Sequence, residues 1–241
     1  MQERYLGDVH DYHKFMFLKK LSLNFNCMVG CNWYLVNPNE IGESEIKKND
    51  GEKRNYLSKK LSGYDQNIIN EFLLLKKMKN RVLKSFTKKT HLKKYIKFYN
   101  DHIDYKHRRR WFENFLCKMN QCKYVFLDPD NGLLPENSKL SERRKMKYIF
   151  PNELKQIYNK NKNVIFCQFQ SFNIHHRDML KIKKKIIKEE TGLNVNKSVI
   201  RNRVSPNTFF ISIVQKENEE CFNKFLHSFS KNLENVEIID I

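Results

Sequence analysis

Residues 124–136 read YVFLDPDNGLLPE, an apolar run that ends in a carboxylate, a proline, a second carboxylate, an amide and a glycine. In an open α/β sheet, ligands bind where strands end at their carboxyl edge. Asp128, Asp130 and Asn131 are therefore candidate catalytic groups, able to accept hydrogen bonds, move protons or ligate a cation. A turn needs the proline, asparagine and glycine but not two carboxylates beside them; a turn with helix-cap residues is the competing reading. Two other apolar runs end in polar residues that would meet the same rim. Asn37, Asn39 and Glu40 follow the first run, and Gln168 and Gln170 end the run 163–170. With Asp50, in the turn Asp50-Gly51, residues Asn37, Asn39, Glu40 and Gln168 form the candidate cofactor contacts.

A second cluster lies in GDVHDYHK at 7–14. On a helix Asp8 and Asp11 share a face that Lys14 extends, with His10 beside them. Asp8, His10 and Asp11 could hold Mg²⁺ or Mn²⁺, and Lys14 could stabilise charge developing on a phosphate. The competing reading is an acidic first turn satisfying the free amides of a helix start. HHRD at 175–178 could supply a base or a phosphate-binding arginine, but reads more simply as a helix start. Between 76 and 110 basic residues dominate, among them Lys93, Lys94, Lys97, Arg108, Arg109 and Arg110. Tyr95, Phe98, Tyr99 and Tyr105 are interleaved with them. Lysine and arginine track phosphates and aromatic rings stack on bases, so this segment is a candidate nucleic-acid contact; the rings could equally face a core.

The elements that must position these residues follow from periodicity. Helices are predicted over 7–22, 65–80, most of 90–119, 150–162, 175–192 and 217–232. Strands are predicted over 27–36, 81–86, 123–130, 163–170, 207–215 and 236–241. The runs 123–128 and 163–169 are apolar at successive positions, which predicts central parallel strands covered on both faces. The expected fold is an open, doubly wound, mostly parallel α/β sheet of Rossmann-like order, with helices on both faces. The chain is expected to be a single domain, 1–241, with a basic helical segment at about 76–119.

The 241 residues carry 46 Lys+Arg against 27 Asp+Glu, a formal charge of +19. That excess points to a polyanion, nucleic acid before an anionic membrane. The abundance of Lys, Asn, Ile, Phe and Tyr, residues of A/T-rich codons, is the alternative source of the charge. The content of 40% hydrophobic and 13% aromatic residues excludes a disordered chain. Six cysteines at spacings that fit no paired zinc pattern read as reduced thiols. No run approaches the roughly 20 apolar residues of a membrane span, and no signal peptide opens the chain. A soluble, cytoplasmic protein is expected.

The blocks YLGDVHDYHKFMFLKKL, NWYLVNPNE, NDGEKRNYL and VFLDPDNGL resemble those of a family of uncharacterised bacterial and phage proteins, over most of residues 4–170. More distantly, the element order is similar to that of Rossmann-fold nucleic-acid adenine-N6 methyltransferases, especially those acting on ribosomal RNA. That resemblance implies an S-adenosylmethionine loop at CNWYLVNPNEIGESE and a catalytic strand-end motif at FLDPDNG. Asp128 and Pro129 match the motif; Asp130 and Asn131 depart from it, and only Gly42 remains of a glycine-rich loop. Three functions follow as expectations. The first is a nucleic-acid-acting enzyme on a methyltransferase-like scaffold with a degenerate cofactor loop. The second is a Mg/Mn-dependent nuclease or phosphodiesterase using Asp8, His10 and Asp11 with Asp128 and Asp130. The third is a catalytically inactive nucleic-acid-binding protein.

Overall fold

A computed structural model describes residues 1–47, 57, 64–78, 81–171, 173–231 and 233–241. Helix α1, Val9–Phe25, opens where the Asp8 carboxylate accepts from the amides of His10 at 2.9 Å and Asp11 at 3.0 Å. It ends at Asn26, whose φ of 45° breaks the repeat. Strand β1, Val29–Asn32, leads into short helices α2, Pro38–Ile41, and α3, Glu43–Ile46. Then come α4, Gln66–Lys76, α5, Leu83–Lys89, and β2, Ile96–Tyr99. Helix α6, Arg108–Lys118, precedes β3, Tyr124–Leu127, after which the chain forms α7, Glu142–Lys145, and α8, Pro151–Tyr158. The last third holds β4, Asn163–Phe169, α9, His176–Thr191, β5, Ser198–Asn202, β6, Thr208–Ile213, α10, Glu219–Lys231, and β7, Val236–Asp240.

Among the described residues the strands form one seven-stranded sheet, in the order β2-β1-β3-β4-β6-β5-β7. Pairing is parallel from β2 through β4 and antiparallel from there on. Alternation in β3 sends Tyr124 and Phe126 to one face and Val125 and Leu127 to the other. The first face packs against α1, α4, α5 and α10, the second against α6, α8 and α9. Both faces are thus covered, as the two apolar runs predict. Helix α1 is buried along nearly its whole length because it lies between the sheet and other helices. Phe15 meets Trp33 at 5.3 Å and Phe72 at 5.6 Å, while Phe17 meets Phe210 at 5.0 Å and Phe225 at 5.4 Å.

Several expected elements change. Residues 81–86, expected as a strand, lie in and before α5. The mainly helical stretch expected over 90–119 contains β2, an edge strand of only four residues whose apolar Ile96 and Phe98 fit either period. Strand β5, SVIRN, carries only two large apolar residues, too few to mark it in the sequence. The predicted strand 27–36 pairs only over Val29–Asn32, because Tyr34 takes a positive φ of 47° and turns the chain out of the ladder. Of the six cysteines Cys31, Cys122 and Cys167 are buried, but Cys117 and Cys221 are exposed. Among the described residues no helix is long and apolar enough to cross a membrane.

Phe210, 1% exposed, sits 5.3 Å from Phe126 and links β6 to α1 through Phe17. Phe210→Ala is expected to lower the unfolding free energy by about 3–5 kcal/mol in urea titration. Leu74→Ala, at a side chain 64% exposed, should stay within about 0.5 kcal/mol of the parent.

Candidate active site

Pro129 has no amide to donate, so the β3 ladder stops after Asp128, whose own amide donates to the Asn32 carbonyl at 2.8 Å. Asp128 therefore lies at the carboxyl end of a central parallel strand, 1% exposed. Its Oδ2 accepts from Lys14 Nζ at 2.8 Å, and Lys14 also donates to Asp11 Oδ1 at 3.1 Å. Asp128 Oδ1 is buried without a hydrogen-bond partner among the described residues. Burial pushes the Asp128 carboxyl up, against the pull of Lys14. Burial would lower Lys14, but Asp128 and Asp11 overcome it and hold the ammonium well above its ordinary value. Burial and the neighbouring Asp11 raise Asp8 to about 7.

These groups line a cavity of about 370 Å³ over the ends of β3 and β4. Tyr5, His10 and Phe169 supply rings, and His10 meets Phe169 edge-on at 5.5 Å. Asn131 and Gln170 supply amides. Across the cavity Asp130 pairs with the Met1 ammonium at 2.9 Å, accepts from Gln2 Nε2 at 2.9 Å and faces Lys147 at 3.7 Å. Burial would raise Asp130, but the Met1 ammonium and Lys147 bring it down to about 2. The Met1 ammonium also donates to the carbonyls of Trp33, Tyr34 and Asp128. Lys147 reaches Glu45 at 2.9 Å, which also accepts from Gln2.

Sequence reasoning singles out Asp128, Asp130, Asn131, Lys14, Asp8, His10 and Asp11, and the fold brings all seven to this cavity. Gln168 points elsewhere: it accepts from the Leu133 amide at 3.0 Å and donates to the carbonyls of Asn131 and Phe169. Two residues further along the chain, Gln170 lines the cavity instead. Asn37 caps α2 by accepting from the Asn39 amide at 3.1 Å, and neither they nor Glu40 line the cavity. Asp50 lies outside the described residues. Gln2, Glu45 and Lys147 escape a reading of the sequence. Lys147 stands in the basic run RRKMK, where nothing in the residue types marks the one lysine that turns inward.

Two expected ligand sites do not fit. At the end of β1, where the S-adenosylmethionine loop is expected, Trp33 to Val36 are themselves buried. Trp33 stacks on Phe98, Tyr34 donates to Glu153 at 3.0 Å, and Leu35 accepts from the Ile103 amide at 2.8 Å. Of the expected loop, only Glu45 lines the cavity. As for a metal, no three His, Cys, Asp or Glu side chains converge on one ion position among the described residues. Asp8 commits an oxygen to two helix amides, Asp11 accepts from the Gly7 amide, and a lysine ammonium already bridges Asp11 and Asp128.

The expected nucleic-acid residues separate. Lys93 and Lys97 line a groove with Met28 and Gln121, at the amino-terminal ends of the strands, and Lys94 is exposed nearby. Arg108 is committed to the fold: its Nε lies 2.7 Å from Glu153, and its guanidinium lies 3.7 Å over the Phe150 ring. Arg109 is exposed and pairs with Glu113, and Arg110 is exposed. His175 and His176 pack on one another at 4.1 Å and do not line the cavity.

Two measurements probe the site's construction. A carboxyl raised from 3.8 to about 7 binds more protons in the folded chain, so its contribution to stability falls as pH rises between those values. Asp8→Asn keeps a capping oxygen. In urea titrations at a series of pH values it should lessen that fall by up to about 1.4 kcal/mol per pH unit within the same window. Gly132 has φ +81°, and an added Cβ would overlap the Gln168 side-chain amide. Gly132→Ala should therefore cost more in urea unfolding than Gly192→Ala, where φ is +76° but no described residue lies within 4 Å of the added Cβ. Comparison with known protein families and with curated proteins finds no match.

Proposed function

We propose that this chain is an enzyme acting on a base of a polynucleotide, on a methyltransferase-like scaffold, with Asp128 as the anchor of the base. The observation that carries this reading is the unpartnered Asp128 Oδ1, fully buried at the end of β3 in an aromatic-walled cavity. A buried carboxylate oxygen without a donor is costly unless a ligand brings one. The exocyclic amino group of adenine, cytosine or guanine is such a donor. Tyr5 and Phe169 supply aromatic wall to a base, and Asn131 and Gln170 supply side-chain amides, of which the Gln170 oxygen already accepts from Asn207. The cavity's volume suits a small planar group.

The scaffold supports the same reading. Strand β1 pairs with β2 on one side and β3 on the other, so the sheet reverses its direction of growth between β2 and β3. The cavity opens at the carboxyl ends beside that switch point, where doubly wound sheets place their ligands. Trp33 to Val36, at the end of β1, are buried in the core and do not line the cavity. What the cavity residues supply is acid–base chemistry. Asp8, raised to about 7, is suited to exchange a proton near neutral pH, and Lys14 keeps positive charge beside Asp128.

Calorimetric titration with nucleosides tests this. Adenosine or cytidine should bind about 5- to 100-fold more tightly than uridine, the span of one good base contact. Asp128→Asn, checked for fold by circular dichroism, should abolish that preference. Equal binding of uridine, or a preference that survives Asp128→Asn, defeats the reading. Mass spectrometry of oligonucleotides incubated with the protein then shows whether a base is altered; unaltered bases with intact binding would mean a binding protein.

A further inference from the structure

We infer that the phosphate backbone of a single-stranded polynucleotide lies along an arginine strip on α7, beside the cavity, rather than on the lysines of the opposite edge. The inference rests on the base-binding reading of the cavity and names the surface that would deliver the base. Three observations on the fold carry it.

The strip is tied to the Asp128–Gly132 turn by backbone bonds. After α7 the chain runs back alongside the turn: the Asn131 amide donates to the Lys147 carbonyl at 2.9 Å, and Ile149 donates to the Gly132 carbonyl at 2.9 Å. The Leu134 amide returns a bond to the Ile149 carbonyl at 2.9 Å. Lys147, two residues beyond α7, lines the cavity itself. Arg108 then fastens α6 to α7, donating to the carbonyls of Lys145 at 3.3 Å and Tyr148 at 2.7 Å. The guanidinium, bonded to both carbonyls and to Glu153, is a rivet, and it leaves its neighbours free to face outward.

Those neighbours are Arg143 and Arg144, both exposed, with Lys106 close by. None has a carboxylate partner among the described residues, whereas Arg109 is paired with Glu113 and Lys145 with Glu142. Arg143 lies 5.7 Å over the ring of Tyr105, which holds an aromatic face among the cations. Exposed, uncompensated arginines with an interleaved ring suit a phosphate chain with bases free to stack. A base can enter a buried cavity only out of a duplex stack, so the strand beside it is single or locally opened.

Lys88, Lys93 and Lys97 share a groove at the amino-terminal ends of the strands, with residues Met28 and Gln121 that precede β1 and β3. A strand held there has the full depth of the sheet between its phosphates and Asp128. The two basic surfaces therefore make opposite predictions.

Fluorescence anisotropy with labelled single-stranded RNA and DNA of about 12 nucleotides separates them. The double variant Arg143→Gln/Arg144→Gln should weaken binding roughly fivefold or more at low salt. The slope of log affinity against log salt should fall by about 1.4, the loss of two single-strand phosphate contacts. Lys88→Gln/Lys93→Gln/Lys97→Gln should bind within about twofold of the parent, a shift worth only about 0.4 kcal/mol. RNA and DNA titrated in parallel show which backbone the strip prefers. The inference is overturned if the lysine variant loses affinity and the arginine variant does not, if both lose it equally, or if the parent binds neither oligonucleotide. Nucleoside titration of the arginine variant keeps the two proposals apart: unchanged adenosine or cytidine binding leaves the cavity reading standing whatever becomes of the strip.

Discussion

The ion pair between Lys14 and Asp128 is the contact on which the site depends. It joins the first helix to the end of the third strand across 114 residues of sequence, with both side chains buried in the wall of the cavity. A buried charge pair is a poor source of net stability, because desolvation offsets much of the attraction. Its value lies in the asymmetry: losing one partner strands the other. Lys14 can therefore sit only where Asp128 and Asp11 flank it, and α1 is locked at one height along the sheet. That height brings Asp8 and His10, which precede Lys14 at the start of the helix, over the ends of β3 and β4.

Packing makes that position compatible with the rest of the chain. Alternation along β3 sends its side chains to two separate clusters, so each face of the sheet must be covered. On one face Phe17 fits among Phe210, Phe225 and Phe229, and Phe15 among Trp33, Phe72 and Phe86. These rings fix the rotation of α1 about its own axis. A helix held on its apolar side by rings and at its start by an ion pair has no freedom left to present its carboxylates differently. The same burial that orders the helix raises Asp8 and Asp128, so the electrostatics of the cavity are a consequence of the packing.

The opposite rim is organised by a second committed cation. Arg108 stacks on Phe150, binds Glu153 with two nitrogens and caps two carbonyls, which ties the starts of α6 and α8 to the segment after α7. Segment 147–149 in turn supports the turn at 131–134. The acidic turn is thus braced from beneath by Gln168, from one side by Lys147 and its backbone, and from the other by Lys14. A net charge of +19 does not describe this interior, where carboxylates and cations alternate.

Much of this is legible in the residues. The unbroken apolar run before Asp128 announces a strand buried on both faces, and Pro129 announces its end, because each follows from local chemistry. The clustering of Asp8, His10, Asp11 and Lys14 is visible for the same reason: residues within two helical turns meet whatever the fold. The residue types do not tell which polar groups face the cavity. Gln168 and Gln170 both look inward-facing; the close approach of Gly132 and the Leu133 amide give the first to the turn, and the second, beyond the end of β4, lines the cavity. Asn37 is consumed by a cap and Arg108 by a carboxylate 45 residues away. Lys147 and Glu45, distant in sequence, become neighbours of Asp130. Short edge strands such as β2 are decided by the partner they find, since four residues carry too little pattern to choose between helix and strand. Local sequence settles what lies within a few residues along the chain. Which polar side chain is left with an open valence depends on partners from elsewhere in the chain, and only the tertiary structure brings those together.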